Sequence, residues 1–69
     1  MDNIQKELSS RKEIIEQEVE EIFTKHMKIT DWDVPEVDDR KVAEILFGII
    51  KEKIIKIEND IKVGKYDYY

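Results

Sequence analysis

The chain has 69 residues, with 12 Lys and Arg against 17 Asp and Glu, which gives a formal net charge of −5. This length fits one small domain over residues 1–69, and an apolar content of 41% is too high for a disordered acidic tail. No apolar run approaches the roughly 18 residues of a membrane span. The lack of cysteine excludes disulfides, thiol catalysis and cysteine-bound zinc, and two glycines with one proline disfavour a turn-rich β architecture. We therefore expect a soluble, cytoplasmic, mostly helical protein.

The first predicted element is an amphipathic helix over residues of about 3–29. Apolar residues recur at helical spacing, so they share one side of the helix. They are Leu8, Ile15, Val19, Ile22 and Ile29. The other side carries acidic residues, namely Glu13, Glu16, Glu20 and Glu21.

A connector over residues of about 30–38 follows, and the sequence offers two starts for the second helix. Asp33 and Glu36 match a capping box with Pro35 in the first turn. Asp38 or Asp39 could instead cap a helix that begins about one and a half turns later. Both alternatives are compatible with the residue pattern.

The second predicted helix covers residues of about 39–63 and ends before Gly64, a residue typical of helix C-termini. Its apolar seam follows a spacing of four and three residues, as in short coiled coils. The seam consists of Ala43, Phe47, Ile50, Ile54, Ile57 and Ile61. Ile45 and Ile49 lie off this seam and form a second apolar strip. Residues 64–69 form a short tyrosine-rich tail.

Two such helices predict an all-α fold, an antiparallel two-helix hairpin. A hairpin covers only one side of each helix, which leaves Ile45 and Ile49 without a partner. We therefore expect a homodimer in the form of a four-helix bundle, with Ile45 and Ile49 at the dimer interface. The alternative is a hairpin that folds fully only on another protein.

The charge is distributed unevenly along the chain. Residues 13–39 hold ten acids and only two lysines, a net charge of −8, whereas residues 40–69 sum to +2. Such a field repels nucleic acid and attracts basic protein surfaces. The sequence pI of about 4.8 and the interleaved acids of the second helix also argue against direct nucleic-acid binding.

No residue pattern indicates catalysis, a metal site or a cofactor. His26 is the single histidine and has no nucleophile placed beside it, so we expect it to pack within the apolar stripe. A calcium loop starting at Asp31 fails, since its fifth and sixth positions are Pro35 and Glu36. The sequence predicts that the protein is not an enzyme.

Four aromatic residues are candidates for protein contacts: Trp32, Tyr66, Tyr68 and Tyr69. Trp and Tyr are enriched at the energetically important centres of protein interfaces. The structural alternatives are a tryptophan that packs over the open end of the hairpin and a tail that is loosely packed.

These observations favour a small acidic protein-binding module, a regulator or inhibitor that docks on a basic surface of another protein. That surface could itself bind nucleic acid, in which case the chain would act as a DNA mimic. The candidate acidic face consists of Glu13, Glu16, Glu20, Glu21, Asp31 and Asp33. The alternative function is a structural oligomerisation element or adaptor without a regulated target.

Overall fold

A computed structural model describes residues 2–36 and 38–69 and shows an all-α protein. Its three helices are α1 (Asn3–Ser10), α2 (Lys12–Asp33) and α3 (Asp39–Lys62), and the described residues contain no β-strand. None of these helices is long and apolar enough to cross a membrane. Met1 and Val37, which the predicted domain and connector include, lie outside the described residues.

The predicted single helix over residues 3–29 is divided at Arg11. The backbone of Arg11 has φ −109° and ψ 7°, and its N–H bonds to the carbonyls of Leu8 and Ser9 rather than continuing the regular helical pattern. Ser10 Oγ also donates to the carbonyl of Glu7 at 2.6 Å. Serine hydroxyls compete for helical backbone groups in this way, and they favour bends. Apolar spacing alone did not reveal this break.

Helix α2 extends beyond its predicted end and includes Trp32 and Asp33. Thr30 Oγ1 donates to the carbonyl of His26, and the Val34 N–H bonds to the Thr30 carbonyl at 2.8 Å, which closes the last turn. Val34 precedes Pro35 and has left the helical region, with φ −135° and ψ 77°. Proline disfavours helical backbone at the preceding residue, so the helix stops there. The connector is therefore shorter than predicted.

Of the two predicted starts for the second helix, the structure shows the later one. Asp38 is the N-cap of α3, and its Oδ1 accepts a hydrogen bond from the N–H of Arg40 at 3.0 Å. This bond satisfies one of the backbone donors left free at a helix start. Asp33 belongs to the last turn of α2, so the capping box of Asp33 and Glu36 is wrong.

Helices α2 and α3 contact each other, and α1 contacts α2. The side chains most shielded by this packing come from one edge of the apolar stripe of α2 and from the seam of α3 with its flank. They are Phe23, Met27 and Thr30 of α2 with Val42, Ala43, Leu46 and Ile50 of α3, all half-buried. No apolar residue among residues 2–36 and 38–69 is fully buried. The molecule measures 49 × 27 × 17 Å, so it is an open helix assembly with no enclosed apolar core in its described part.

Candidate protein-interaction surface

An apolar surface spans the junction of α2 and α3. One depression between the helices is lined by Val19, Ile22, Ile49, Ile50, Lys53 and Ile54. A second is lined by Thr30, Val42, Ile45, Leu46 and Ile49. Ile49 lies in both depressions, so they form one surface. We call this surface, represented by Val19 and Ile22 of α2 with Ile45 and Ile49 of α3, the open face.

The open face is largely accessible in the single chain. Ile45 and Ile49 are 57% and 60% exposed, and Ile22 is 52% exposed. Of the two predicted dimer residues, Ile49 lies beside Val19 and Ile22 of α2, whereas Ile45 lies beside Thr30. The sequence suggested a separate strip on α3, whereas the structure joins the two apolar strips into one surface.

The apolar line of α2 continues across the bend onto α1. Ile4, Leu8 and Ile15 line a groove where the two helices meet. All three side chains are exposed, with Ile4 at 74%. The bend at Arg11 thus leaves an apolar groove open to a partner.

His26 is exposed, in contrast to the packed position expected from the sequence. It lies four residues after Ile22 and three before Ile29, on the exposed stripe that α3 leaves uncovered. Helix α3 packs against only one edge of this α2 stripe, at Phe23 and Met27. The rest of the stripe, including His26, therefore stays exposed. Within the described residues, no group of three or more His, Cys, Asp or Glu side chains could hold a metal ion.

The candidate acidic residues are all exposed, but they do not form one face. Glu13, Glu16 and Glu20 are separated by three and four residues and lie on the same side of α2. Asp31 follows Glu20 by eleven residues, about three turns, and so lies on the same side. Glu21 and Asp33 lie on other sides of the helix.

None of the described α2 carboxylates forms an ion pair within 4.0 Å. Among residues 2–36 and 38–69, the ion pairs within 4.0 Å involve Glu7, Glu44 and Asp60 as acids, and none lies in α2. Glu21 accepts only a hydrogen bond from the amide of Gln17, at 3.1 Å. With seven acids and three lysines, α2 has a net charge of −4, and its carboxylates are exposed to solvent.

The candidate aromatic residues fall into two separate places. Trp32 is in the last turn of α2 and is 87% exposed, so it does not act as a plug. The tyrosines follow α3, whose 24 residues rise about 36 Å between the connector and the tail. Tyr66 stacks at a tilt against Tyr69, with ring centroids 5.7 Å apart, whereas Tyr68 is 98% exposed.

The sequence did not single out a charged cluster at the end of α3. Asp60 is the only buried residue in the described part of the chain, at 8% exposure. Lys56 Nζ lies 2.7 Å from its Oδ1, and Lys65 Nζ lies 3.4 Å from its Oδ2. We call Asp60 with these two lysines the C-terminal clasp. Two spacings in the sequence could have indicated this cluster. Lys56 precedes Asp60 by four residues, as in a helical ion pair, and Gly64 follows Asp60 by four residues.

The clasp lies at the C-terminal end of α3, where backbone hydrogen bonds also close the helix. Gly64 has φ +87°, its N–H bonds to the Ile61 carbonyl at 3.1 Å, and the Lys65 N–H bonds to the Asp60 carbonyl at 2.9 Å. These two bonds form a Schellman motif. The hydrogen bond from Lys56 holds the pKa of Asp60 below its ordinary value, with a further contribution from Lys65, while partial burial acts in the opposite direction. The cluster fixes the start of the tail.

Comparisons of the chain with protein-family models, with curated proteins and with solved structures gave no match. The surfaces described above therefore provide the evidence for function.

Proposed function

We propose that this chain is a protein-binding module whose apolar and acidic surfaces are covered by other polypeptides. The observation that carries this proposal is that no described apolar residue is buried in the single chain. Large exposed apolar surfaces mark interaction sites in water-soluble proteins. A single core in a chain below about 70–80 residues rarely supplies more than about 3–5 kcal/mol, and association with another polypeptide is one way in which such chains gain stability.

The accessible surface of the chain can be compared with that of a compact monomer of the same mass. The chain exposes 6703 Å², about 2,100 Å² more than the roughly 4,600 Å² expected for a compact monomer of its mass. A standard protein complex buries only about 800 Å² on each partner. The excess belongs to the whole open helix assembly, including α1 and the tail, and is large enough to contain one interface of standard size.

The unpaired carboxylates of α2 supply the second part of the proposed function. They support docking of Glu13, Glu16, Glu20 and Asp31 on a basic surface of another protein, as a regulator or inhibitor would dock. Complementary charge accelerates encounter with such a surface more than it strengthens the final complex. A nucleic-acid-binding surface is one basic target of this kind, and on it the chain would act as a DNA mimic.

The second candidate function is a structural oligomerisation element. It is supported by the continuity of the open face across α2 and α3, because this surface suits a four-helix bundle built from two helical hairpins. In such an element the acidic residues would only keep the outer surface solvated. The two candidate functions differ in whether the carboxylates contribute to binding.

Charge reversal separates these two functions. The test protein carries Glu13, Glu16 and Glu20 changed to Lys, and the control carries Glu44, Glu52 and Glu58 changed to Lys on α3. Both changes add six positive charges and alter only exposed residues. Proteins captured from a lysate by the wild-type chain are identified by mass spectrometry, and their association rates with all three chains are then measured at low and high salt.

The regulator function predicts a partner whose association with the α2 variant is slow and less dependent on salt, while the control binds it as the wild type does. Circular dichroism should show the same helix content in all three chains. If every captured partner binds the two variants equally well, the acidic face has no role in binding. In that case the oligomerisation function is preferred.

A further inference from the structure

We infer that a second copy of this chain covers the open face, with α2 of each copy packed antiparallel against α3 of the other. This inference rests on the proposed interaction function and names the partner of the apolar surface. The resulting assembly is a four-helix bundle in which α2 and α3 alternate around the axis. Both connectors lie at the same end.

The exposure of the open face is the first argument for a second copy. Ile22, Ile45 and Ile49 are between 52% and 60% exposed, and permanent homodimers cover apolar surfaces of this kind at their interfaces. Both helices contribute to the open face, since Ile22 and Ile49 line the same depression. A surface that contains both helices can pack against an identical surface through a two-fold axis.

Charge determines which helix faces which. Helix α2 has seven acids and three lysines, a net charge of −4, whereas α3 has six bases and five acids, a net charge of +1. A two-fold axis perpendicular to the helices would place α2 on α2 of the second copy, with like charges opposed. An axis parallel to the helices places α2 on α3 and leaves the two acidic helices on the diagonal of the bundle.

The positions of the charged residues along the helices also agree with a two-fold axis parallel to the helices. Val19 and Ile22 line the same depression as Ile50, Lys53 and Ile54, so they lie at the same height in the helix pair. The segment 13–21, with five acids and no base, is therefore level with the lysine-rich half of α3. That half has four bases and three acids, a net charge of +1, and its bases are Lys51, Lys53, Lys56 and Lys62. With the axis parallel to the helices, the same levels face each other between copies.

Engineered cysteines test this arrangement, because the natural chain has none. Chains with Ile22→Cys and chains with Ile49→Cys, distinguished by tags of different size, are mixed, allowed to exchange and oxidised under native conditions. We expect the mixed disulfide to exceed the half share that random pairing would give. A Gln17→Cys chain, substituted on the far side of α2, is the control and should form few cross-links with either.

An excess of disulfides between two Ile22→Cys chains would show α2 on α2 and overturn the inference. A folded wild-type chain that sediments as a monomer at high micromolar concentration would also overturn it. Such a monomer could still bind a basic partner in the charge-reversal experiment, so the failure of this inference differs from the failure of the proposed function. Circular dichroism of each cysteine variant verifies that its helices are intact.

Discussion

The ammonium group of Lys56 lies 2.7 Å from Oδ1 of Asp60, one turn further along α3, and this contact anchors the end of the helix. The second carboxylate oxygen faces Lys65 beyond the helix, so Asp60 connects the last turns of α3 to the tail. Lys65 Nζ also lies 5.6 Å from the centroid of the Tyr66 ring. One side chain thus organises the C-terminal end of the structure.

Asp60→Asn should destabilise the chain at neutral pH and have little effect in acid. Because the folded-state pKa of Asp60 is lowered, its contribution is complete above the unfolded pKa of about 3.9 and is lost as the pH falls through the lower folded value. Urea unfolding of both chains at pH 7 and in acid measures this difference. The exposed Glu58→Gln is the control and should follow the wild type. Equal stability of Asp60→Asn and wild type at pH 7 would contradict the clasp.

The two glycines should respond to alanine in opposite directions. At Gly64, φ +87° is strained for a residue with a Cβ, and the added atom would lie 2.9 Å from Asp67 Oδ2. We expect Gly64→Ala to cost about 1–2 kcal/mol. Gly48 is within α3 and has no atom within 4 Å of an added Cβ, so Gly48→Ala should stabilise by about 0.5–1 kcal/mol.

Thermal unfolding of the two glycine variants, at the same chain concentration as the wild type, gives the comparison. A destabilised Gly48→Ala would show that a partner backbone approaches that side of α3. This outcome would place an interface away from the open face. A neutral Gly64→Ala would mean that the Schellman motif contributes little.

Ile49→Glu should dissociate the inferred dimer, and Phe47→Glu should not. Both residues are about equally exposed in the single chain, at 60% and 58%, but only Ile49 lines the open face. An unpaired carboxylate in an apolar interface costs about 3 kcal/mol or more, so we expect at least a hundredfold weaker association. Sedimentation equilibrium should show a mass of 8.3 kDa for Ile49→Glu and twice that for Phe47→Glu. Dissociation by Phe47→Glu alone would move the interface to the other side of α3.

The sequence predicted the local features that depend on few residues. Asp38 was one of the expected caps, and Gly64 was expected at the helix end, because capping requires specific side chains at fixed positions. Spacing also predicted the helical character of the chain. The break at Arg11 was missed, since the competition between a serine hydroxyl and the helical hydrogen bonds involves small energies that apolar spacing does not record.

Two features were harder to predict from the sequence. They are the side of α2 on which α3 packs and the C-terminal clasp. The stripe around Ile15 and Ile22 is wider than one neighbouring helix can cover, so spacing did not determine that α3 would pack on Phe23 and Met27. The contact of Lys65 with Asp60 depends on the reversal of the chain at Gly64, which only the backbone geometry shows. The structure gives the positions of the candidate acidic and aromatic residues, and their role in binding a partner is a prediction.

The lack of a buried apolar residue in the described chain has a consequence for how its stability is measured. If association covers the hydrophobic surface, folding and assembly are one equilibrium, and the melting temperature rises with protein concentration. A free energy of unfolding then has meaning only at a stated chain concentration. Dilution alone, with no denaturant and no change of temperature, would be enough to unfold the protein.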